Sequence, residues 1–276
     1  EPRLSINFAV SERSSIDISY GLVSQVQLPQ VVGQIGNRDL GFTRSHHMDA
    51  AFTRSLAEGL QLRAGVFYQY LFDVPIVSPD VNPASTFSVL NLNEEPAPFG
   101  LVNEGTGKNY GVDLTVERSF YGNHYYLLGG SYYDSKYTPA DGIERNTRFN
   151  GRFTLSSVYG KEWSNPDKHR AIGLNTRVLY LGGLLFRDVN IAASEAFQET
   201  VYSDNFAVRM NDYFRIDLRL SFRKNKPGYT RTFAIDIQNL TNQQNEAFQY
   251  YDFVQDKVTK KYQLGIIPVL VYRVDF

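Results

Sequence analysis

At 276 residues the chain is long enough for one or two soluble domains or one large barrel segment, and its formal net charge of -1 excludes the one-signed field of a dedicated nucleic-acid binder. The absence of cysteine excludes a disulfide framework, a thiolate metal site and a cysteine nucleophile. No apolar run reaches the roughly 18 residues of a membrane-spanning helix, so a β-barrel is the one way this chain could cross a bilayer, and its 19 Tyr and 19 Phe suit a membrane interface.

The chain opens on Glu1-Pro2-Arg3-Leu4, without the pattern of a signal peptide, and sequence upstream is expected to have been removed. Residues 4–10 and 16–22 alternate apolar with polar around a short polar turn at 11–15, which predicts a hairpin. A Gln- and Gly-rich stretch, 23–41, leads to a strand at about 42–54. A tight turn at 55–59 follows, then a strand to about Phe72 with Leu60, Leu62, Ala64, Val66, Tyr68 and Tyr70 in one row. Residues 73–108 carry five of the eleven prolines and are expected to form a long functional loop. Strands are predicted at 112–117, 124–135, 149–159 and 172–180, and long loops at 188–212 and 241–262.

Three terminal strands are the clearest. Phe214, Ile216, Leu218, Leu220 and Phe222 alternate with Arg215, Asp217, Arg219, Ser221 and Arg223; Phe233, Ile235 and Ile237 alternate with Ala234, Asp236 and Gln238. In the last strand Ile266, Pro268, Leu270, Tyr272, Val274 and Phe276 share one face, opposite Val269, Val271, Arg273 and Asp275. Apolar-out, polar-in alternation over about ten residues is the requirement of a lipid-facing barrel strand. The fold class is therefore all-β, a transmembrane antiparallel up-and-down barrel of about eleven strands. Its connections alternate short and long, as periplasmic turns and extracellular loops do, which places Phe276 in the periplasm. Eleven is odd and an open edge cannot face hydrocarbon, so the chain is expected to be a portion of a larger barrel. Strand 4–10 would then pair with an upstream strand, and the last strand would close on the first strand of the same missing half.

Other motifs carry less. Gly105-Thr-Gly107-Lys108 lacks the strand-loop-helix context of a phosphate loop and is expected to be a flexible entry to the strand at Tyr110. His46 and His47 are adjacent, so they point to opposite faces of a strand and do not share a metal; a loop-edge pair at the barrel rim is expected. Asn239-Leu240-Thr241 matches a glycosylation sequon but is expected to be a loop entry. No nucleophile elbow occurs, and neither catalysis, a metal site nor a cofactor is expected. The polar-face residues Arg215, Asp217, Arg219, Arg223, Arg273 and Asp275 are expected to line a polar lumen or hold a plug.

Several stretches resemble the C-terminal half of TonB-dependent outer-membrane receptors, in particular the SusC-like, carboxypeptidase-regulatory-like branch of Bacteroidetes. They are Glu1–Ser5, Leu101–Val112, Glu144–Phe149, Phe233–Asn239 with Asn242 and Asn245, and Gln263–Phe276. The resemblance implies a 22-stranded barrel of which these strands are half, with the plug and N-terminal half absent from residues 1–276. It also implies a bacterial outer-membrane location and TonB-energised uptake of a siderophore, oligosaccharide or peptide. The alternatives are a structural barrel subunit of an envelope complex and a passive porin. The implied partners are the lipid bilayer and lipopolysaccharide, the missing half with its plug, TonB through the plug, the barrel assembly machinery and a SusD-like surface lipoprotein, with no nucleic acid. Tyr272, Val274 and Phe276 would form the insertion signal read by the assembly machinery.

Overall fold

The computed structural model describes residues 1–92 and 96–276. Its strands are β1 (Arg3–Ser11), β2 (Ser14–Gln25), β3 (Thr43–Ala57), β4 (Leu60–Val77), β5 (Leu101–Tyr121), β6 (His124–Thr138), the two-residue β7 (Arg145–Asn146), β8 (Phe153–Asn165), β9 (Arg170–Leu181), β10 (Leu185–Val189), β11 (Tyr202–Arg209), β12 (Tyr213–Lys226), β13 (Tyr229–Gln238), β14 (Glu246–Asp252), β15 (Lys257–Tyr262) and β16 (Ile267–Asp275). Two short helices, α1 (Pro29–Val32) and α2 (Ile191–Phe197), lie in connections.

One sheet dominates, in the order β1-β2-β3-β4-β5-β6-β8-β9-β12-β13-β16 with β7 beside β6, every pair antiparallel. The eleven strands and the up-and-down order match the sequence expectation. At one end the connections are short: residues 12–13, 58–59, 122–123, 166–169 and 227–228. Four of these turns use left-handed backbone, at Gly59, at Gly122 with Asn123, at His169 and at Gly228. Both central residues of the 122–123 turn have positive φ, the geometry that matches the twist of a two-residue hairpin. The five long connections lie at the other end.

The loops hold more structure than their composition suggests. Strand β4 runs on to Val77 and β5 begins at Leu101, so the expected 73–108 loop shrinks to 78–100; its residues 93–95 lie outside the described residues. Bulges between Leu71 and Val74 and between Val74 and Ile76 let the ladder pass Pro75, which has no N–H to give. Strand β8 starts at Phe153 rather than Phe149, after a turn closed by Asn150 N–H on the Thr147 carbonyl. The last two long loops contain the hairpins β10-β11 and β14-β15.

Burial is distributed as in a wall. Leu270 is 71% and Tyr272 65% exposed in mid-strand, and the buried apolar cluster of Val31, Val77, Ala97 and Leu101 sits at the long-loop end. Strand β1 pairs with β2 alone and β16 with β13 alone, so the sheet is open.

Candidate functional site

Cross-strand register sorts the side chains into rows. On one face Trp163, Ile172, Phe222, Phe233 and Tyr272 stand in line across five strands, and Phe8, Ile16, Phe52, Ala64 and Leu114 across another five. The opposite face is polar. Asn7 Nδ2 donates to Asp17 at 2.6 Å, Ser19 to Asp49 at 2.5 Å, Ser131 to Asp113 at 2.5 Å and Tyr125 to Asn175 at 2.8 Å. A cavity of about 800 Å³ lies against this face, lined by Asp49, Arg63, Gln69, Asp113, Ser131 and Thr154 among others, so the polar face is the concave one.

All six residues singled out on the polar face by alternation fall there. Arg215 Nε donates to Asp217 Oδ1 at 2.6 Å, and its Nη2 to Gln238 at 3.0 Å. Arg219 pairs with Asp236 at 3.1 Å, Arg223 with both oxygens of Glu162 at 2.9 and 3.0 Å, and Arg273 with Asp275 at 2.6 Å. These part-exposed pairs contribute little to stability, about 0–1 kcal/mol each. What they do is keep one face hydrated. Tyr272 lies in the apolar row beside Phe233, Val274 is on the same face opposite Arg231, and Phe276, beyond the end of β16, is fully exposed.

Other expectations need correction. Gly105 and Gly107 are inside β5, not in a flexible entry: a Cβ on Gly105 would stand 2.4 Å from Ile76 Cγ2, and one on Gly107 2.6 Å from Leu90 Cδ1. Lys108 pairs with Glu144 at 2.6 Å. His46 and His47 lie within β3; His46 faces the apolar side, its Nδ1 2.9 Å from the Tyr20 hydroxyl and its ring stacked on Phe72. Asn239 does begin a loop, in left-handed backbone, but its side chain is buried and spans the turn, donating to the Gln243 carbonyl and accepting from the Gln243 N–H.

Alternation gave no view of how the long loops interlock. Asn37 donates to the Pro98 carbonyl and accepts from Leu101 N–H, tying residues 26–42 to 78–100. Tyr137 donates to the Thr86 carbonyl, and Arg148 N–H to Asn91, bringing in residues 139–152. Tyr202 donates to the Gln249 carbonyl at 2.6 Å, joining the β10-β11 and β14-β15 hairpins. Asn245 exchanges two hydrogen bonds with the backbone of Phe214, acting as a strand residue through its side chain. The side chain of Glu246, 1% exposed, accepts from Asn211 twice and pairs with Lys260.

Asp141 and Tyr251 are among the loop groups shifted from their ordinary values. The Arg145 guanidinium donates to Asp141 and holds its carboxyl low, while Asp256 and burial push the Tyr251 phenol up. Between the loops is a cavity of about 460 Å³, lined by Phe87, Phe186, Tyr202, Phe206, Arg148 and Arg187 among others. Arg187 lies over the Tyr202 ring at 5.5 Å and Arg148 over Phe206 at 5.6 Å. The lining thus combines flat apolar faces with guanidinium groups.

No curated protein matches the chain. Among solved structures, the ferric yersiniabactin uptake receptor FyuA from Yersinia pestis is 12% identical with a TM-score of 0.67, over 99% of this chain and 37% of its own. The ferric preacinetobactin receptor BauA from Acinetobacter baumannii is 12% identical at 0.65, over 100% and 36%. The pyoverdine outer-membrane receptor FpvA from Pseudomonas aeruginosa is 11% identical at 0.64, over 100% and 36%. The chain thus spans little more than a third of the length of these receptors. Residues 2–240 match the family described as TonB dependent receptor-like, beta-barrel, and the chain belongs to that family of outer-membrane proteins.

Proposed function

We propose that the chain is part of the barrel wall of a receptor that takes up a scarce nutrient with energy delivered through TonB. The supporting observation is the pairing of a hydrated concave face with a set of interlocked loops at one end, which enclose a cavity of mixed aromatic and guanidinium lining. The polar face, with Arg215, Asp217, Arg219, Arg223, Arg273 and Asp275, is the side toward lumen and plug. The long loops are extracellular, the last strand ends in the periplasm, and Tyr272, Val274 and Phe276 serve insertion. The nutrient is a siderophore, oligosaccharide or peptide, and ferric siderophores, the ligands named for FyuA and BauA, are the class to test first. Membership of the SusC-like branch, with a surface lipoprotein as partner, rests on the quoted sequence stretches. No catalytic role is assigned.

The test is growth of cells whose limiting nutrient is supplied by this receptor alone, on panels of ferric siderophores, oligosaccharides and peptides. Uptake of one class that stops when TonB is removed supports the proposal. Uptake that continues without TonB would make the protein a passive pore, and no uptake of any class would favour a structural subunit.

A further inference from the structure

The outward face carries cations at both ends of the strands, and the two ends treat them differently. At the long-loop end each has an acidic neighbour. Lys108 pairs with Glu144, Lys136 with Asp134 and Glu144, and Arg44 with Asp73. At the short-turn end Arg170, Lys224 and Arg231 stand side by side across β9, β12 and β13, register partners in one row. All three are exposed, as is Lys226 beyond them. Among the described residues none of these four makes an ion pair, and the nearby Glu162 faces the other side, where Arg223 holds it.

Like charges directly opposite on neighbouring strands destabilise a sheet. Two of the four lie over a ring instead, Lys226 at 5.6 Å and Arg231 at 4.9 Å from the Tyr229 centroid. Immediately toward mid-strand comes the row of Trp163, Ile172, Phe222, Phe233 and Tyr272. An aromatic row marks the membrane-water boundary, and long cationic side chains beside it reach outward to headgroup level.

We infer that Arg170, Lys224 and Arg231, with Lys226 beyond them, form a binding belt for the phosphate headgroups of anionic glycerophospholipids. The lipids are those of the leaflet at the short-turn end, the periplasmic leaflet in the orientation proposed above. The lipid phosphate supplies the counter-charge that the protein provides for itself at the other end and omits here. Bound lipid also relieves the repulsion within the row.

The experiment is native mass spectrometry of the full-length protein in detergent, titrated with phosphatidylglycerol and, separately, phosphatidylethanolamine. The wild type should retain phosphatidylglycerol preferentially. With roughly fivefold in affinity for each surface cation, the single change Lys224→Gln should weaken that retention about fivefold. The triple change Arg170→Gln, Lys224→Gln, Arg231→Gln should weaken it on the order of a hundredfold. The difference between boiled and unboiled gel migration confirms that each variant is folded, and the single variant carries the test if the triple one is not. The triple change Arg44→Gln, Lys108→Gln, Lys136→Gln should leave retention unchanged. Equal retention of the two lipids, or no loss in either belt variant, would overturn the assignment. So would displacement by millimolar inorganic phosphate, which would show a free-anion site, or an equal loss of lipopolysaccharide binding in the belt variants, which would place the belt in the other leaflet.

Discussion

Leu128 and Gly129 are neighbours in β6 that face opposite environments. Leu128 stands in an apolar row between Val116 and Ser157, half exposed, whereas a Cβ on Gly129 would meet nothing within 4 Å on the concave side. The same substitution therefore separates the two faces. Leu128→Arg should cost about 2–4 kcal/mol, the range for an arginine facing lipid, and Gly129→Arg under about 1 kcal/mol. Refolding titrations into lipid vesicles measure both, and equal costs would contradict the facing. Asp141 gives a pH-dependent counterpart. Its carboxyl is held low by Arg145, so its contribution is present above the ordinary carboxylate value and is lost as pH falls through the lowered one. Hydrogen exchange in residues 139–147 should accelerate on acidification through that range, and Asp141→Asn should remove the change. At this scale the polar-face residues were legible because a strand's period of two exposes them to simple alternation. The cavity residues Tyr202, Arg148 and Arg187 were not, since loop side chains follow no period and meet only through contacts across distant segments.

The elements differ in the same way. Wall strands such as β12 announce themselves through five alternations, and their short turns through Gly59, Gly122 and Gly228. The ends of β4 and β5 were hidden by Pro75, Gly105 and Gly107, residues that ordinarily break a strand and here sit at bulges or under close side chains. Gly107→Val should destabilise the folded barrel by about 1–3 kcal/mol through overpacking against Leu90, measured by the same titration. The hairpins β10-β11 and β14-β15 gain their partners from other loops, so nothing local marks them. Asn245 is the clearest case: it reads as loop, yet both of its side-chain bonds go to the Phe214 backbone. Asn245→Ala leaves that N–H and carbonyl without these partners, at about 1–3 kcal/mol. Residues 239–262 should become sensitive to protease in intact cells while the wall strands remain protected; unchanged protection would show that the side chain holds nothing.

For the whole molecule the decisive feature is the pair of open edges. Every interior strand has two neighbours, while β1 and β16 have one each. A backbone group left unpaired in hydrocarbon costs several kcal/mol, and an edge strand of nine residues presents several, against a net stability of about 5–15 kcal/mol for a typical protein. The receptors that share this fold are nearly three times as long as residues 1–276, and a 22-stranded barrel has strands to spare for both edges. We therefore propose that β1 and β16 pair with strands outside residues 1–276. The most direct measurement is disulfide trapping in the full-length protein in its membrane, with any cysteine outside residues 1–276 replaced, since residues 1–276 contain none. Ile6→Cys with Ile18→Cys, and Ile235→Cys with Leu270→Cys, are register partners and should cross-link under mild oxidation. Ile6→Cys with Leu270→Cys should remain reduced. A high yield from that last pair would show β1 and β16 lying side by side, and would contradict the account of this sheet as one section of a larger wall.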